Sequence, residues 1–247
     1  MQSYEERIEK LRELINKSKR IVFFGGAGVS TESGVKDYRS EDGLYNTVKE
    51  FGVNPETILS HSFFINNPET FYDFYRKYFL QENIKPNAAH YALAKLEQNG
   101  KLTAVITQNI DHLHQLAGSK NVLELHGTSK IHYCMSCKTL YPVEKIKNEK
   151  VPICDKCGDV IRPKVTLYEE ALDEITVDTA IDHIYASDLL IIGGTSLEVY
   201  PAAAYLRYYK GKNIVLINKS ETDYDSKATL IFRESIGKVL SETIDIK

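Results

Sequence analysis

Residues 21–39 read IVFFGGAGVSTESGVKDYR, and this stretch decides the fold. Ile21–Phe24 is an unbroken apolar run between Arg20 and Gly25, the pattern of a strand covered on both faces. Gly25, Gly26, Ala27 and Gly28 follow, a turn in which the backbone can take positive φ and approach a ligand closely. Ser30, Thr31, Glu32 and Ser33 then suit a helix start. Strand, glycine turn and helix N-terminus together present N–H groups to an anion. The spacing departs from G-x-G-x-x-G, because Thr31 stands where the third glycine would fall. Taken alone, the turn is equally a nucleotide site or a tight connection.

Composition narrows the class. The 247 residues allow one large domain or a domain with an insertion. A formal charge of −3 and a pI near 6.2 give no footprint for nucleic acid. The N-terminus MQSYEERIEK lacks an apolar h-region, and no run reaches the ~20 apolar residues of a membrane span. The expected setting is cytoplasmic, without membrane or nucleic-acid partners, and a monomer is the favoured state.

Outward from the first stretch, Ile8, Leu11, Leu14 and Ile15 predict an amphipathic helix over 4–17. Between Asp42 and Pro86 aromatic residues dominate, from Phe63 to Phe79, which predicts a small helical insertion. A helix runs from an N-cap Asn87 to Gly100. Buried strands are expected at Leu102–Thr107, Leu189–Ile192 and Ile214–Ile217, further strands at Val122–Leu125 and Val165–Tyr168, and helices at 173–185 and about 233–243. Residues 128–163 offer little core material. Alternating strands and helices predict an α/β fold with a doubly wound parallel sheet. Polar or glycine residues close four of the strands: Gly25–Gly28, Gln108–Asp111, Gly194–Ser196 and Asn218. In such sheets the ligand lies at that edge.

Cys134-x-x-Cys137 and Cys154-x-x-Cys157 are separated by sixteen residues, 138–153, a spacing that suits a Cys₄ zinc ribbon. Two disulfides or four free thiols are the competing readings, and the absence of a secretory pattern favours zinc. Four protein ligands leave no open position, so one structural ion per chain is expected.

The motifs, in order, resemble the sirtuin family of NAD-dependent protein lysine deacylases. GAGVSTESGVKDYRS (26–40) is similar to the family's G-A-G-I/V-S-x-x-S-G-I/V-P-D-F-R-S. TQNIDHLH (107–114) resembles its T-Q-N-I/V-D-G-L-H, and Glu124-Leu125-His126-Gly127 its E-x-H-G. The cysteine ribbon, Arg162-Pro163, GTSLEVYPAA (194–203) and Ile217-Asn218 complete the series, which has the short insertions of a compact prokaryotic member. The resemblance implies a discontinuous Rossmann-like domain (1–37, 87–127 and 164–247). It also implies a small domain made of a helical module (38–86) and the zinc ribbon (128–163).

It further implies that NAD binds along Gly26, Ala27, Gly28, Thr31, Tyr38, Arg39, Gln108, Asn109, Ile110 and Asp111. His126, Gly194, Thr195, Ser196, Asn218, Lys219 and Ile236 complete that set. His126 would be the base that activates a ribose hydroxyl, and Asn109 would serve the nicotinamide end. Val165, Leu167, Tyr168, Glu169, Glu198, Tyr72 and Tyr75 would line the acyl-lysine substrate. Products would be free lysine, nicotinamide and O-acyl-ADP-ribose. A mono-ADP-ribosyltransferase or a non-catalytic NAD sensor are the alternative readings.

The sequence departs from the family at four places: Lys36 for proline, Tyr38 for phenylalanine, and His112 and Glu169 for glycine. Histidine tolerates left-handed backbone better than most residues, so the turn at His112 can survive. Glu169, Glu170 and Glu198 predict an acidic mouth that favours basic flanking residues. Members that remove succinyl groups carry a Tyr-x-x-Arg pair, which aligns here with Tyr72 and Tyr75. Without a guanidinium, neutral acyl groups are expected over succinyl.

Overall fold

The computed structural model describes residues 2–36, 48–81 and 83–244. Helix α1 (Tyr4–Lys17) opens on Ser3, whose side chain accepts from the Glu6 N–H while the Glu6 carboxylate accepts from the Ser3 N–H. That reciprocal cap contributes about 1 kcal/mol. β1 (Ile21–Gly25) follows. The helical module comprises α2 (Val48–Phe51), α3 (Pro55–Ile58), α4 (His61–Asn66) and α5 (Pro68–Phe79). Then come α6 (Ala88–Gln98), β2 (Leu102–Thr107), α7 (Leu113–Leu116) and β3 (Val122–Glu124). The ribbon is β4 (Gly127–Cys134), β5 (Leu140–Tyr141), α8 (Val143–Asn148) and β6 (Ile161–Val165). α9 (Glu174–Ala186), β7 (Leu189–Gly193), β8 (Asn213–Ile217), β9 (Leu230–Phe232) and α10 (Ile236–Thr243) close the chain.

Six parallel strands form a Rossmann-like sheet in the order β3-β2-β1-β7-β8-β9. The unbroken apolar runs follow from burial on both faces. Phe23, Ile191 and Val215 face a core shared with α1, α6 and α10, whereas Phe24, Ile192 and Leu216 face a second core under α9 and the 3₁₀ turns of 202–208. The chain builds outward from β1 to β3 and then returns to place β7 beside β1. The order therefore reverses between those two strands, where Gly25 pairs with Gly193. Ligands bind at such a reversal.

The small three-stranded sheet has the order β5-β4-β6, antiparallel throughout. Pro163 is tolerated in β6 because that strand lies at an edge. Its core is shared: Cys134, Ile146, Cys154 and Ile161 pack with Phe64, Phe71, Tyr72, Phe74 and Tyr75 of the helical module. Residues 128–163 thus carry more core than their composition suggests. No helix among the described residues is long and apolar enough to cross a membrane.

Four boundaries differ from the sequence reading. After β1 there is no sustained helix but two 3₁₀ turns, Ala27–Val29 and Thr31–Ser33, the second ended by Gly34 at φ 86°. The strand expected at Val165–Tyr168 lies earlier, as β6, because the chain then swings out so that Tyr168 can bridge to Ser60. The last helix begins at Ile236, since Arg233 is turned to the Asn218 and Ser220 carbonyls. β9, a short edge strand, carried no periodicity to find it by.

Candidate active site and zinc centre

A cleft of about 710 Å³ runs along the carboxyl edge of the large sheet and under the ribbon and helical module. The two glycine turns make its floor. The Gly28 N–H donates to the Gly194 carbonyl at 2.8 Å, and a Cβ on Gly28 would lie 2.8 Å from the Gly194 Cα. Only glycine lets these two backbones close. Asn87, the cap of α6, anchors the same turn by donating to the Val29 carbonyl at 2.8 Å and the Ser33 hydroxyl at 3.0 Å.

Of the expected cofactor residues, Ala27, Gly28 and Thr31 line one end, and Gln108, Asn109, Ile110 and Asp111 the middle. Gly194, Thr195, Ser196, Asn218, Lys219 and Ile236 line the other wall. Gly26 is buried behind Thr195 rather than on the surface of the cleft. Tyr38 and Arg39 lie outside the described residues.

A hub missed in the sequence joins the middle group. Ser30 is fully buried; its hydroxyl donates to Asp111 Oδ2 at 2.7 Å and accepts from Asn109 Nδ2 at 3.0 Å. Burial pushes the Asp111 carboxyl up, opposed by the Leu113 N–H and the Ser30 hydroxyl. The turn that delivers Asp111 passes through His112 at φ 69°, the left-handed backbone that its place in the motif requires. The signal for Ser30 was its serine in the glycine motif, but nothing in the sequence said which way the hydroxyl would face.

His126 stands at the mouth of this group. Its Nδ1 lies 2.9 Å from the Gln108 carbonyl, which can only accept, so Nδ1 carries the proton and Nε2 keeps its lone pair. Burial lowers its pKa, and the bond to Gln108 only partly restores it. The imidazole is therefore neutral at pH 7 and competent as a base. Two other histidines, His90 and His114, form a buried pair with ring centroids 4.7 Å apart. Burial holds His90 down to about 4 and lowers His114 further below its usual range.

Val165, Leu167, Tyr168, Glu169 and Tyr75 line the far side. Tyr72 does not: it is fully buried and its hydroxyl donates to the Ile161 carbonyl, making it part of the shared core. Glu198 is exposed but stands off the cleft. Phe71, Tyr78, Phe79 and Ile84 line it instead. The i, i+4, i+7, i+8 spacing of Phe71, Tyr75, Tyr78 and Phe79 was legible, though such spacing cannot separate core from cleft.

The acidic mouth needs correction. Arg162, 7% exposed, grips Glu170 with both terminal nitrogens at 2.5 and 2.8 Å and also donates to the Val165 carbonyl. Burial alone would raise the Glu170 carboxyl; Arg162, the Leu167 N–H and His61 more than offset this and hold it low. Its charge is thus neutralised inside the protein. Glu169, at φ 76°, turns its carboxylate onto the Ser62 N–H and hydroxyl, both at 2.8 Å.

The four cysteine Sγ atoms lie within 4.8 Å of one another. The pairs Cys134–Cys157 and Cys137–Cys154 are 3.4 and 3.5 Å apart, too far for the ~2.05 Å of a disulfide and close to the ~3.8 Å edge of a tetrahedron of Zn–S bonds of ~2.3 Å. Donor set and spacing fit a structural zinc ion.

A family model described as "Sir2 family" matches residues 26–201. An NAD-dependent protein deacetylase of Clostridium perfringens is 56% identical over 98% of this chain and 100% of its own length. Its counterpart in Clostridium acetobutylicum is 54% identical over 97% and 98%. Among solved structures, a Sir2 chain with a deacetylated p53 peptide and 3′-O-acetyl ADP-ribose superimposes with a TM-score of 0.87, at 37% identity, over 95% of this chain and 96% of that one.

Proposed function

This chain belongs to the Sir2 family, and from that membership together with the cleft we propose that it is an NAD-dependent protein-lysine deacetylase. The observation that carries the reading is the His126 imidazole, neutral, with Nδ1–H fixed on Gln108 and Nε2 given no hydrogen-bond partner among the described residues, in the cleft that Asn109 and Asp111 also line. Bound NAD supplies a ribosyl carbon that exchanges nicotinamide for the acyl oxygen of the substrate lysine.

The rest is work for the chain's own residues. Over the bare backbone of Gly28 and Gly194, Thr195 and Ser196 hydrogen-bond a phosphate or ribose oxygen, and Asn218 an adenosine hydroxyl. The Ser30 hub orients the Asn109 amide and Asp111 carboxylate towards the nicotinamide and its ribose. His126 Nε2 takes the proton of a ribose hydroxyl, an effect typically worth 10²–10⁴-fold. In this proposal residues 38–86 and 128–163 form the lobe that holds the peptide and supplies the aromatic wall.

We also propose neutral acyl groups over succinyl. The Tyr75 hydroxyl is turned away to His132 Nε2 at 3.2 Å and its buried ring stacks with Phe71 and Phe79, so this side chain offers the acyl group no polar atom. The neighbouring arginine, Arg76, is bound to the carbonyls of Ile146, Glu149 and Lys150. No guanidinium on that helix is free to meet a second carboxylate.

The test is to incubate the zinc-loaded protein with NAD and acetyl-lysine or succinyl-lysine peptide and weigh the products. Nicotinamide, deacetylated peptide and O-acetyl-ADP-ribose in equal amounts are expected. ADP-ribosylated protein, or no nicotinamide, would replace this reading with a transferase or a sensor. Faster turnover of succinyl-lysine would overturn the acyl preference alone.

A further inference from the structure

The first loop of the cleft and the last helix of the chain meet at one hydrogen bond. Glu32 Oε1 accepts from the Gly237 N–H at 2.9 Å, across 205 positions of sequence. Gly237 is the second residue of α10, and Ser235, which precedes that helix, makes no side-chain cap bond. Glu32 therefore supplies from another part of the chain the acceptor that a capping side chain normally supplies, with the charge that a helix N-terminus favours.

Glu32 itself lines the dinucleotide cleft, and Gly237 adjoins it through Ile236. Thr31 precedes Glu32, and its hydroxyl is tied to the Gly28 carbonyl at 3.0 Å. Ile236 precedes Gly237 and lines the opposite wall beside Asn218. Ile236 is itself seated on the end of β7, where a Cβ on Gly193 would strike its Cδ1.

We infer that Glu32 is a positioning residue for the dinucleotide: by capping α10 it sets the distance between the Gly28–Thr31 turn and the Ile236 wall, and it touches no reacting atom. The inference rests on the NAD reading above. Gly237 probes the same contact from the other side. A methyl group there would run into the Glu32 carboxylate, the far end of a flexible side chain, and displace it without moving the backbone. Alanine is also the better helix former, so this substitution weakens the contact while favouring the helix.

The experiment compares full-length, zinc-loaded wild type with Glu32→Ala, Glu32→Gln, Gly237→Ala and the Glu32→Ala/Gly237→Ala double variant. The readouts are Tm, kcat, KM for NAD, KM for peptide, and Kd for ADP-ribose by calorimetry. A lost cap predicts that Glu32→Ala raises KM for NAD and Kd for ADP-ribose about five- to tenfold, with kcat and peptide KM within about twofold. Glu32→Gln, which keeps an acceptor oxygen, recovers at least half of that loss. Gly237→Ala raises KM for NAD with Tm unchanged or higher, and adds nothing in the Glu32→Ala background. Unshifted NAD and ADP-ribose constants in Glu32→Ala overturn the inference. So does a fall in Tm and kcat for Glu32→Ala with a harmless Gly237→Ala, the pattern of a purely structural cap. A wild type that binds no ADP-ribose would remove the NAD reading and this inference together, whereas tight wild-type binding with unshifted variants removes this inference alone.

Discussion

The six-stranded sheet and the three-stranded ribbon are held together by different physics. In the large sheet, successive residues of each central strand enter two separate apolar cores, and Phe23, Phe24, Ile191 and Ile192 are all fully buried. The ribbon has a two-residue strand, exposes Lys130 and Ile131 within β4, and borrows much of its core from the aromatic face of α5. Its remaining constraint is four thiolates around one point. Burial secures the first region and a metal the second. His126, Asn109 and Asp111 follow strands of the first, whereas Val165 to Glu169 leave the end of β6 in the second. Dinucleotide binding and peptide binding should therefore fail separately.

Zinc removal is the strongest way to break that contrast. Chelation, or Cys154→Ser, should abolish turnover and expose amides 128–163 to hydrogen exchange, while Kd for ADP-ribose stays within a few-fold of its starting value. Equal loss of both would show that the two regions fold as one unit. His126→Ala sharpens the contrast from the other side: kcat should fall ~10²–10⁴-fold with Tm and ribbon protection unchanged. Because burial lowers the pKa of His126, the acid limb of kcat/KM should fall below pH 6.5, and activity should be flat from there to neutrality.

Between the two regions sits the Arg162–Glu170 clamp. Arg162→Ala leaves the Glu170 carboxylate with only His61 and the Leu167 N–H and should cost up to about 3 kcal/mol, read as ribbon opening in hydrogen exchange. Glu170 is depressed in the folded state, so its contribution is present above the ordinary carboxylate range and disappears as pH falls through the folded value. The smallest effect concerns sequence context. With Glu170 paired to Arg162, Glu169 and Glu56, which line the same side of the cleft, should favour basic over acidic flanking residues, about twofold at low salt and less as salt screens it. Equal rates at low salt would remove even that.

What could be read in advance divides along the same line. The central strands declared themselves because two-sided burial leaves them almost wholly apolar, α1 through its apolar period and α6 through its caps. The cysteines named their ligand through spacing together with the absence of a secretory pattern. β9 and the end of β6 escaped notice: one is a three-residue edge, and the other is set by where Tyr168 and Glu170 find partners. The helix expected after Gly28 failed because Gly34 stops the second 3₁₀ turn after three residues. At the site, residue types and order were legible, but not direction. Tyr72 and Tyr75 occupy one helix, yet one hydroxyl serves the core and the other side chain lines the cleft.

The two ends of the chain are stitched together. The Tyr4 hydroxyl donates to Glu242 at 2.7 Å, and the Arg7 guanidinium to the Ile231 carbonyl and Glu234, both at 2.7 Å. Ile8, Leu11, Leu14 and Ile15 share a core with Val239, Leu240 and Ile244. On the ribosome, the first helix made must therefore wait for the last. At 5–20 residues per second, roughly 10–40 s separate the emergence of Glu32 from that of Gly237. Throughout that interval the nascent polypeptide displays an uncovered greasy stripe. A message truncated before codon 230 is thus expected to yield a product found with chaperones or in aggregates, and recovery of a stable, free fragment would contradict this order of assembly.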